Sequence, residues 1–186
     1  MEVCAPRDPG NPHPFGQIPA LRDTTDSSQA PVELFESGAI LQYLADRHGG
    51  LDTPAKRADA GKWVVWANAS LDPCLFIENE RGGVIDSGAR KATPPKPLER
   101  LEAVLGTREW LAGGAAEGDG GDFGVADVAV GAYLLFVPQF FNDVSFARFP
   151  HISAYMARCC ARPAYAKAFG AGTAANLAKQ CQLWLK

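Results

Sequence analysis

Two residues near the start of the chain have side chains that could bind a small charged molecule. Glu36 and Ser37 stand in the stretch ELFESGAILQYL (residues 33–44), where a strand-like alternation changes into apolar residues at helical spacing. A serine at this point is well suited as the N-cap of a helix, where it contributes about 1 kcal/mol. The first N–H groups of a helix also attract a carboxylate, because they carry the positive end of the helix dipole. The pair predicts either a helix cap alone or a cap that also binds an anion.

A second candidate lies at Gln17, Ile18 and Pro19, in the segment FGQIPALRD (residues 15–23). Proline has no backbone N–H, so within sheets it is confined to strand starts, edges and bulges. X–Pro bonds in folded proteins are trans about twenty times as often as cis. From the residues alone, Pro19 predicts an ordinary proline where the chain enters an edge strand.

The cysteines and histidines suggest neither a metal site nor a disulfide framework. The five cysteines are odd in number, Cys159 and Cys160 are adjacent, and no CxxC or HxxxH spacing occurs. Cys4 is close to Gln17 in sequence, but it precedes a proline-rich coil and no helix that would lower the pKa of its thiol. The other cysteines are predicted as packing residues on helices, and the three histidines as surface or cap residues. We expect no metal.

The composition excludes several kinds of partner. The chain has 186 residues, of which 47% are hydrophobic, enough for one large domain or two small ones with a real core. The net charge is −3 and there is no basic run, so nucleic acid and anionic membranes are not expected partners. No segment has the length and apolarity of a membrane span or a signal peptide. These features predict a cytoplasmic protein.

The elements that position the two candidates follow from the spacing of apolar residues. Residues 17–22 and 32–35 predict two short strands, and the polar residues 23–31 between them predict the loop of a hairpin. A helix is predicted over residues 38–48. The glutamate–serine pair therefore stands where the second strand passes into the first helix.

The rest of the chain predicts mainly helices. Residues 123–136 are almost wholly apolar after Asp127, which predicts a helix buried on all sides. Residues 82–97 and 113–121 predict loops. The other predicted helical segments are 54–76, 98–111, 150–162 and an amphipathic C-terminal tail after Pro163. In the first of these, Pro73 is expected to kink or end the helix.

Four separated segments carry a resemblance to a known family. They are FGQIPALRD (15–23), ELFESGAILQYLADRHG (33–49), FGVADVAVGAYL (123–134) and FPHISAYMARCCARPAYAKAF (149–169). In this order and at this spacing they resemble cytosolic glutathione transferases, closest to the phi pattern of plants. The resemblance implies the glutathione transferase fold. An α/β thioredoxin-like domain, lacking its first strand and helix, is expected at residues 1–50, and an all-helical domain at residues 51–186.

The resemblance also implies a site for glutathione, the co-substrate of the family. The Ile18–Pro19 bond is then expected to be cis, and the main chain there to pair with the cysteinyl part of glutathione like an added strand. Gln17 would reach the glycyl or γ-glutamyl end. Ser37 would bind the γ-glutamyl carboxylate and Glu36 its ammonium. The catalytic serine, tyrosine or cysteine of the family has no match in this chain, so the catalytic residue is unknown.

In the helical part, the resemblance implies structural roles more than site roles. Gly124 and Asp127 resemble the N-capping box of the family, with glycine in place of serine or threonine, so only the aspartate half remains. The family's electrophile pocket is lined by the helix that carries Trp63, Trp66 and Asn68. Aromatic residues at helical spacing are more often core than pocket, and no site role is assigned to them.

Three hypotheses about function remain open. The first is a working transferase that joins the glutathione thiolate to a small hydrophobic electrophile. The second is a non-catalytic interaction module, like the transferase-like part of the gamma subunit of elongation factor 1. The third is a truncated remnant. Because a missing strand and helix would expose the sheet, a homodimer or another protein partner is expected.

Overall fold

The structure, a computed structural model, describes residues 6, 8–28, 30–48, 51–111 and 122–186. The chain forms two compact units, Met1–Arg57 and Ala58–Lys186. Cys4 and the loop predicted at 113–121 lie outside the described residues.

The first unit is built on an antiparallel hairpin followed by a helix. β1 (Ala20–Asp23) pairs with β2 (Val32–Phe35), with Ala20 opposite Phe35. α1 (Ser37–Arg47) begins two residues after β2 ends. The hairpin and helix predicted from the spacing of apolar residues are therefore confirmed.

Polar contacts tie the C-terminal end of α1 to the loop end of the hairpin. The Tyr43 hydroxyl donates to Asp23 Oδ2 at 2.8 Å, and Arg47 Nε lies 3.5 Å from the same oxygen. The N–H and hydroxyl of Thr25 donate to Asp23 Oδ1 at 2.9 and 2.7 Å. Hydrogen bonds from Thr25 and Tyr43, together with the charge of Arg47, hold the pKa of Asp23 well below its usual value.

An irregular segment, residues 8–18, leads into β1. Asn11 Oδ1 accepts from the N–H of His13 at 2.9 Å, and Asn11 Nδ2 donates to the carbonyl of Gln17 at 2.8 Å. The His13 ring lies 5.0 Å from the Phe35 ring, centroid to centroid. His13 is therefore buried, and its prediction as a surface or cap residue was wrong, because packing against β2 covers its ring.

The second unit is mainly helical. Its longest helix, α5, carries many of the buried residues, and α8 packs along α6 through Leu177 and Cys181. The helices are α2 (Pro54–Trp66), which begins in the first unit, α3 (Asp72–Leu75), α4 (Lys96–Leu105), α5 (Val125–Phe140), α6 (Pro150–Cys160), α7 (Pro163–Phe169) and α8 (Ala171–Trp184).

The helix predicted to run from α2 towards Phe76 changes its hydrogen bonding on the way. A π-helical segment, Ala67–Leu71, separates α2 from α3. Pro73 stands within α3 and has no N–H to donate to the turn before it. This is the position where the sequence predicted a kink or an end, and the regular helix stops at Leu75.

A short hairpin stands where the sequence predicted a loop at residues 82–97. β3 (Ile77–Glu78) pairs with β4 (Val84–Asp86). Asn79 closes the turn, since its Oδ1 accepts from the N–H groups of Arg81 and Gly83 at 2.9 and 3.0 Å. The side chain of Asn79, rather than apolar alternation, produces this hairpin, and that is why the apolar pattern did not reveal it.

α5 is only partly enclosed, which corrects the prediction of a helix buried on all sides. Val130, Leu134 and Val137 are fully buried, whereas Val128 is 38% exposed and Phe140 65% exposed. One face of α5 therefore remains accessible. Among the described residues, no helix has the length and apolarity needed to cross a membrane.

Candidate functional site

The predicted site residues meet at one end of the β1–β2 hairpin. Because Ala20 pairs with Phe35, Ile18 and Pro19 enter the sheet at the end where Glu36 and Ser37 leave it. The Ile18–Pro19 bond is cis, as expected. Ile18 is 56% exposed, and among the described residues its backbone N–H and carbonyl have no hydrogen-bond partner.

Gln17 is positioned through its main chain. Its carbonyl accepts from Asn11 Nδ2 at 2.8 Å, and its side chain is exposed. Asn11 was missed by the sequence analysis, which expected only irregular structure before residue 17. The signal that could have identified it is the Asn-Pro pair, since asparagine side chains commonly bond the backbone of turns.

Glu36, and not Ser37, is the N-cap of α1. Glu36 has φ 68° and ψ 117°, and it is the only non-glycine residue with positive φ in the described ranges. Such a conformation costs a side-chain-bearing residue about 1–3 kcal/mol. The prediction of Ser37 as N-cap was therefore wrong by one residue, because the sharp turn out of β2 takes place at Glu36 and makes Ser37 the first helical residue.

The start of α1 keeps its hydrogen-bond donors unused. The first backbone bond of the helix runs from the N–H of Ile40 to the carbonyl of Glu36 at 3.0 Å. No side chain caps the helix. Within the described part of the chain, the N–H groups of residues 37–39 and the Ser37 hydroxyl have no partner. Together with the helix dipole, these donors form a site suited to a carboxylate.

The groups around this site suit one kind of ligand. The donors at the start of α1 fit a carboxylate, the exposed side chain of Glu36 fits an ammonium group, and the unpaired backbone of Ile18 fits a peptide strand. An amino acid with free α-groups, joined to a short peptide, presents all three. The geometry therefore agrees with the interpretation of these residues as a peptide-binding site.

Tyr43 is not available to activate a thiol. Its hydroxyl donates to Asp23, and desolvation together with this hydrogen bond raises the pKa of Tyr43. A hydroxyl that is to stabilise a thiolate must instead have a free proton to donate to it. Tyr43 thus has a structural role, between α1 and the hairpin.

In the second unit, several thiols are buried, and two tryptophans line a groove. Burial raises the pKa of the Cys159 thiol to about 12, and Cys160 and Cys181 are also buried, as expected of packing residues. Trp63 and Trp66 line a groove of about 290 Å³ with residues of α4. The described residues hold no cluster of His, Cys, Asp and Glu side chains that could bind a metal.

The capping role of Asp127 is confirmed and extended. Asp127 Oδ2 accepts from the N–H of Gly124 at 2.9 Å, as predicted for the remaining half of the box. Its Oδ1 also accepts from the N–H of Leu111 at 2.7 Å and from the Tyr155 hydroxyl at 3.1 Å. Asp127 is 1% exposed. It joins three segments of the second unit around one buried carboxylate.

Comparisons with known proteins agree with this architecture. Residues 89–163 match the profile of the family described as Glutathione S-transferase, C-terminal domain. The chain is 29% identical to the Glutathione S-transferase GstB of Escherichia coli strain K12 over 176 residues, which cover 83% of this chain and 74% of that protein.

Two solved structures are similar to the chain in fold. One is a glutathione transferase family member from Pseudomonas fluorescens with two glutathione bound, which has a TM-score of 0.63 and 27% sequence identity. The matched region covers 83% of this chain and 71% of the Pseudomonas fluorescens chain. The other is a glutathione transferase from Burkholderia graminis with two glutathione molecules bound per subunit, which has a TM-score of 0.60 and 27% sequence identity. The matched region covers 84% of this chain and 68% of the Burkholderia graminis chain. The expected fold class, a thioredoxin-like α/β part followed by a helical part, is confirmed, and these comparisons support the resemblance of the chain to cytosolic glutathione transferases.

Proposed function

We propose that the protein binds glutathione at Gln17, Ile18, Pro19, Glu36 and Ser37, and that it joins the glutathione thiolate to small hydrophobic electrophiles. One observation carries the proposal. The N-terminus of α1 has unused donors, beside a glutamate whose backbone has an unfavourable positive φ. Backbone strain of this kind is concentrated at ligand sites, where the surrounding structure maintains it.

The γ-glutamyl end of glutathione fits this corner. Its α-carboxylate would accept from the Ser37 hydroxyl and from the first N–H groups of α1. Hydrogen bonds to a charged group contribute about 1.5–3 kcal/mol each. Its ammonium would pair with the Glu36 carboxylate, whose side chain is exposed. The two opposite charges of one amino-acid group thus find opposite partners in two adjacent residues.

The rest of the tripeptide fits the segment before β1. The unpaired N–H and carbonyl of Ile18 would bond the cysteinyl main chain, as an extended peptide bonds the edge of a sheet. The exposed Gln17 amide would contact one end of the ligand. The names of the relatives support the ligand, since GstB is a glutathione S-transferase and the Pseudomonas fluorescens and Burkholderia graminis structures contain glutathione.

We also propose that the protein is cytoplasmic and that it works as a homodimer. Four described cysteines, Cys74, Cys159, Cys160 and Cys181, are free, and free thiols are typical of the reducing cytoplasm. We propose a homodimer as the working assembly. Analytical ultracentrifugation would show a mass of twice the chain mass if this is right and the single-chain mass if it is wrong.

Calorimetric titration with glutathione tests the binding step. Wild-type protein is expected to bind in the micromolar-to-millimolar range, and Ser37→Ala to bind about tenfold more weakly, since it loses one charge-assisted hydrogen bond. Ser27→Ala is a matched control, because Ser27 is an exposed serine of the same unit outside the site. Absence of wild-type binding, or equal weakening by both variants, would show that the site is assigned wrongly.

Turnover is the second readout. The purified chain is mixed with glutathione and a chlorodinitrobenzene, and formation of the thioether is followed by absorbance. Conjugation that falls in Ser37→Ala supports a transferase. Binding without conjugation would leave the glutathione site standing and overturn the transfer step, in favour of a non-catalytic binding protein.

A further inference from the structure

The accessible face of α5 borders a cavity of about 200 Å³ in the second unit. Small residues line one part of it, Gly131 and Ala132 on α5 and Ala164 and Ala168 on α7, and the rest is lined by Cys159 of α6 and by larger apolar and aromatic residues such as Leu135 and Tyr165. The small side chains leave a slot between two helices that larger residues would fill. Cavities of about 150 Å³ with apolar walls hold a benzene molecule. The slot therefore has room for one aromatic ring and a small substituent.

One positive charge, that of Arg162, borders this slot and has no polar side-chain partner among the described residues. The Arg162 guanidinium lies over the Phe123 ring, 3.8 Å from the centroid. Its Nε is buried and makes no hydrogen bond. Stacking uses the face of the guanidinium, whereas the N–H donors lie in its plane. The contact with Phe123 thus stabilises the cation and leaves its donors unused.

A second arginine, one turn earlier on α6, shows the contrast. Arg158 also stacks on an aromatic residue, with its guanidinium carbon 5.5 Å from the Trp110 ring centroid. Its Nε is, like that of Arg162, buried without a hydrogen bond. However, Arg158 Nη2 donates to the carbonyl of Glu109 at 2.8 Å, and Arg158 Nε lies 3.9 Å from the Glu109 carboxylate. Within the described part of the chain, Arg162 has no carboxylate of this kind beside it.

Asp127 contributes the carboxylate that borders the slot in the described part of the chain, and this carboxylate is already engaged. Both oxygens of Asp127 accept hydrogen bonds, from the N–H groups of Leu111 and Gly124 and from the Tyr155 hydroxyl. A buried donor without a partner is unusual in proteins and calls for an explanation. A ligand carboxylate that accepts from Arg162 would supply the missing acceptor.

We propose that the slot between α5 and α7 binds small aromatic carboxylates. The ring lies between the alanines of the two helices, and the carboxylate accepts from the Arg162 guanidinium, an arrangement in which arginine–carboxylate pairs are strong. The volume admits a single ring. All residues of this site belong to the second unit and none is part of the glutathione site, so the two proposals stand or fall separately.

Ligand-detected NMR and calorimetry with benzoate test the proposal on the full chain. Benzamide is the matched neutral probe, because it has the same shape without the charge. We expect benzoate to bind at least about tenfold more tightly than benzamide, since only benzoate forms the charged pair. Equal binding of the two probes, or no benzoate binding at millimolar concentration, would overturn the proposal.

Two substitutions test whether benzoate binds at Arg162. Arg162→Gln is expected to weaken benzoate binding about tenfold and to leave benzamide unchanged. Arg158→Gln, the matched control, should change benzoate binding less than about twofold. Equal losses in both variants would mean that the general positive charge near the C-terminal end of α6, and not Arg162 itself, attracts the probe.

A third variant closes the slot without touching a charge. Ala168 lines the slot and is otherwise exposed, so Ala168→Leu fills it at little cost to folding and should abolish binding of both probes. Unchanged thermal unfolding of this variant confirms that it folds. Ser37→Ala must leave benzoate binding intact. If Ser37→Ala weakens benzoate and Ala168→Leu does not, the probe occupies the glutathione residues and the slot is no binding site.

Discussion

Helices α6 and α1 both begin with backbone N–H groups that have no carbonyl partner in their own helix. At α6, the Glu102 carboxylate of α4 accepts from the N–H groups of His151 and Ile152, each at 2.9 Å. At α1, no side chain performs this task, and the N-cap residue Glu36 has positive φ. The two starts therefore differ, because a carboxylate from another helix accepts at α6 and no side chain accepts at α1. The starts of α4, α7 and α8 also have no side-chain cap, so the feature that sets α1 apart is the positive φ of Glu36 beside the unused donors.

The start of α5 resembles that of α6, because a side-chain carboxylate also accepts hydrogen bonds there. Asp127 accepts from the N–H of Gly124 and bonds two further segments. The difference between these starts and that of α1 makes a general point. A helix N-terminus becomes a candidate site when its donors are unused, and the presence of donors alone carries no such meaning. Substitutions at the two kinds of start should therefore have opposite consequences for stability and for binding.

The largest effect is expected at Asp127. Asp127→Ala leaves the N–H groups of Leu111 and Gly124 without their acceptor and removes the carboxylate that accepts from the buried Tyr155 hydroxyl, and should lower the free energy of unfolding by roughly 3–4 kcal/mol. Urea unfolding followed by tryptophan fluorescence measures it, because all four tryptophans lie in the second unit. Asp122→Ala, an exposed aspartate five residues earlier, should change stability by less than about 0.5 kcal/mol. A small effect of Asp127→Ala would mean that water replaces the carboxylate.

A smaller loss is expected at Glu102. Glu102→Ala removes the acceptor of His151 and Ile152 and should cost about 1–2 kcal/mol by the same measurement, the usual range for a helix cap. The site is half-buried, so water can replace part of the interaction. Glu99→Ala, an exposed residue one turn earlier on α4, is the control and should be nearly neutral. If both variants lose equally, the loss of a negative charge from α4 and not the loss of the cap of α6 explains the lower stability.

The sequence predicted the existence of the strands and helices better than the residues at which they begin and end. Alternation and helical spacing located β1, β2, α1 and α5, because these patterns depend on neighbours close in the chain. The N-cap of α1 was predicted at Ser37, one residue late. The reason is that the turn out of β2 uses a positive φ, which no propensity for glutamate indicates.

Contacts between distant residues account for most of what the sequence did not show. Glu102 lies about 50 residues from the N–H groups it caps, and His13 is buried by a residue of β2. Neither pairing leaves a mark in local spacing. The candidate site residues were predicted through a resemblance of whole segments, since Glu36 and Ser37 by themselves left open whether the pair is a helix cap alone or also binds an anion.

At Glu36, stability and binding should move in opposite directions. Glu36→Gly removes the positive-φ strain and should raise the stability of α1 by about 1 kcal/mol, after allowance for the greater freedom of glycine in the unfolded chain. It should also weaken glutathione binding, because the partner of the ammonium is lost. Amide hydrogen exchange of residues 41–47 measures the first effect and calorimetry the second. Glu33→Gly, in β2 with an ordinary φ, should instead destabilise the hairpin. Loss of stability in both variants would show that Glu36 is not strained.

The two ends of α1 should also differ in their dependence on pH. Hydrogen bonds from Thr25 and Tyr43 and the charge of Arg47 lower the pKa of Asp23 in the folded protein. A lowered folded pKa adds stability above the unfolded pKa, near 3.9, and this stability is lost as the pH falls towards the folded value. Asp23→Asn should therefore speed amide exchange in α1 at pH 7, and its difference from the wild type should shrink below about pH 4. Ser37→Ala, at the other end of the same helix, should leave exchange unchanged at both pH values, because the unbound protein uses no hydrogen bond there. A pH-dependent effect of Ser37→Ala would mean that the start of α1 is already occupied by a group of the protein, and the contrast with α6 would no longer hold.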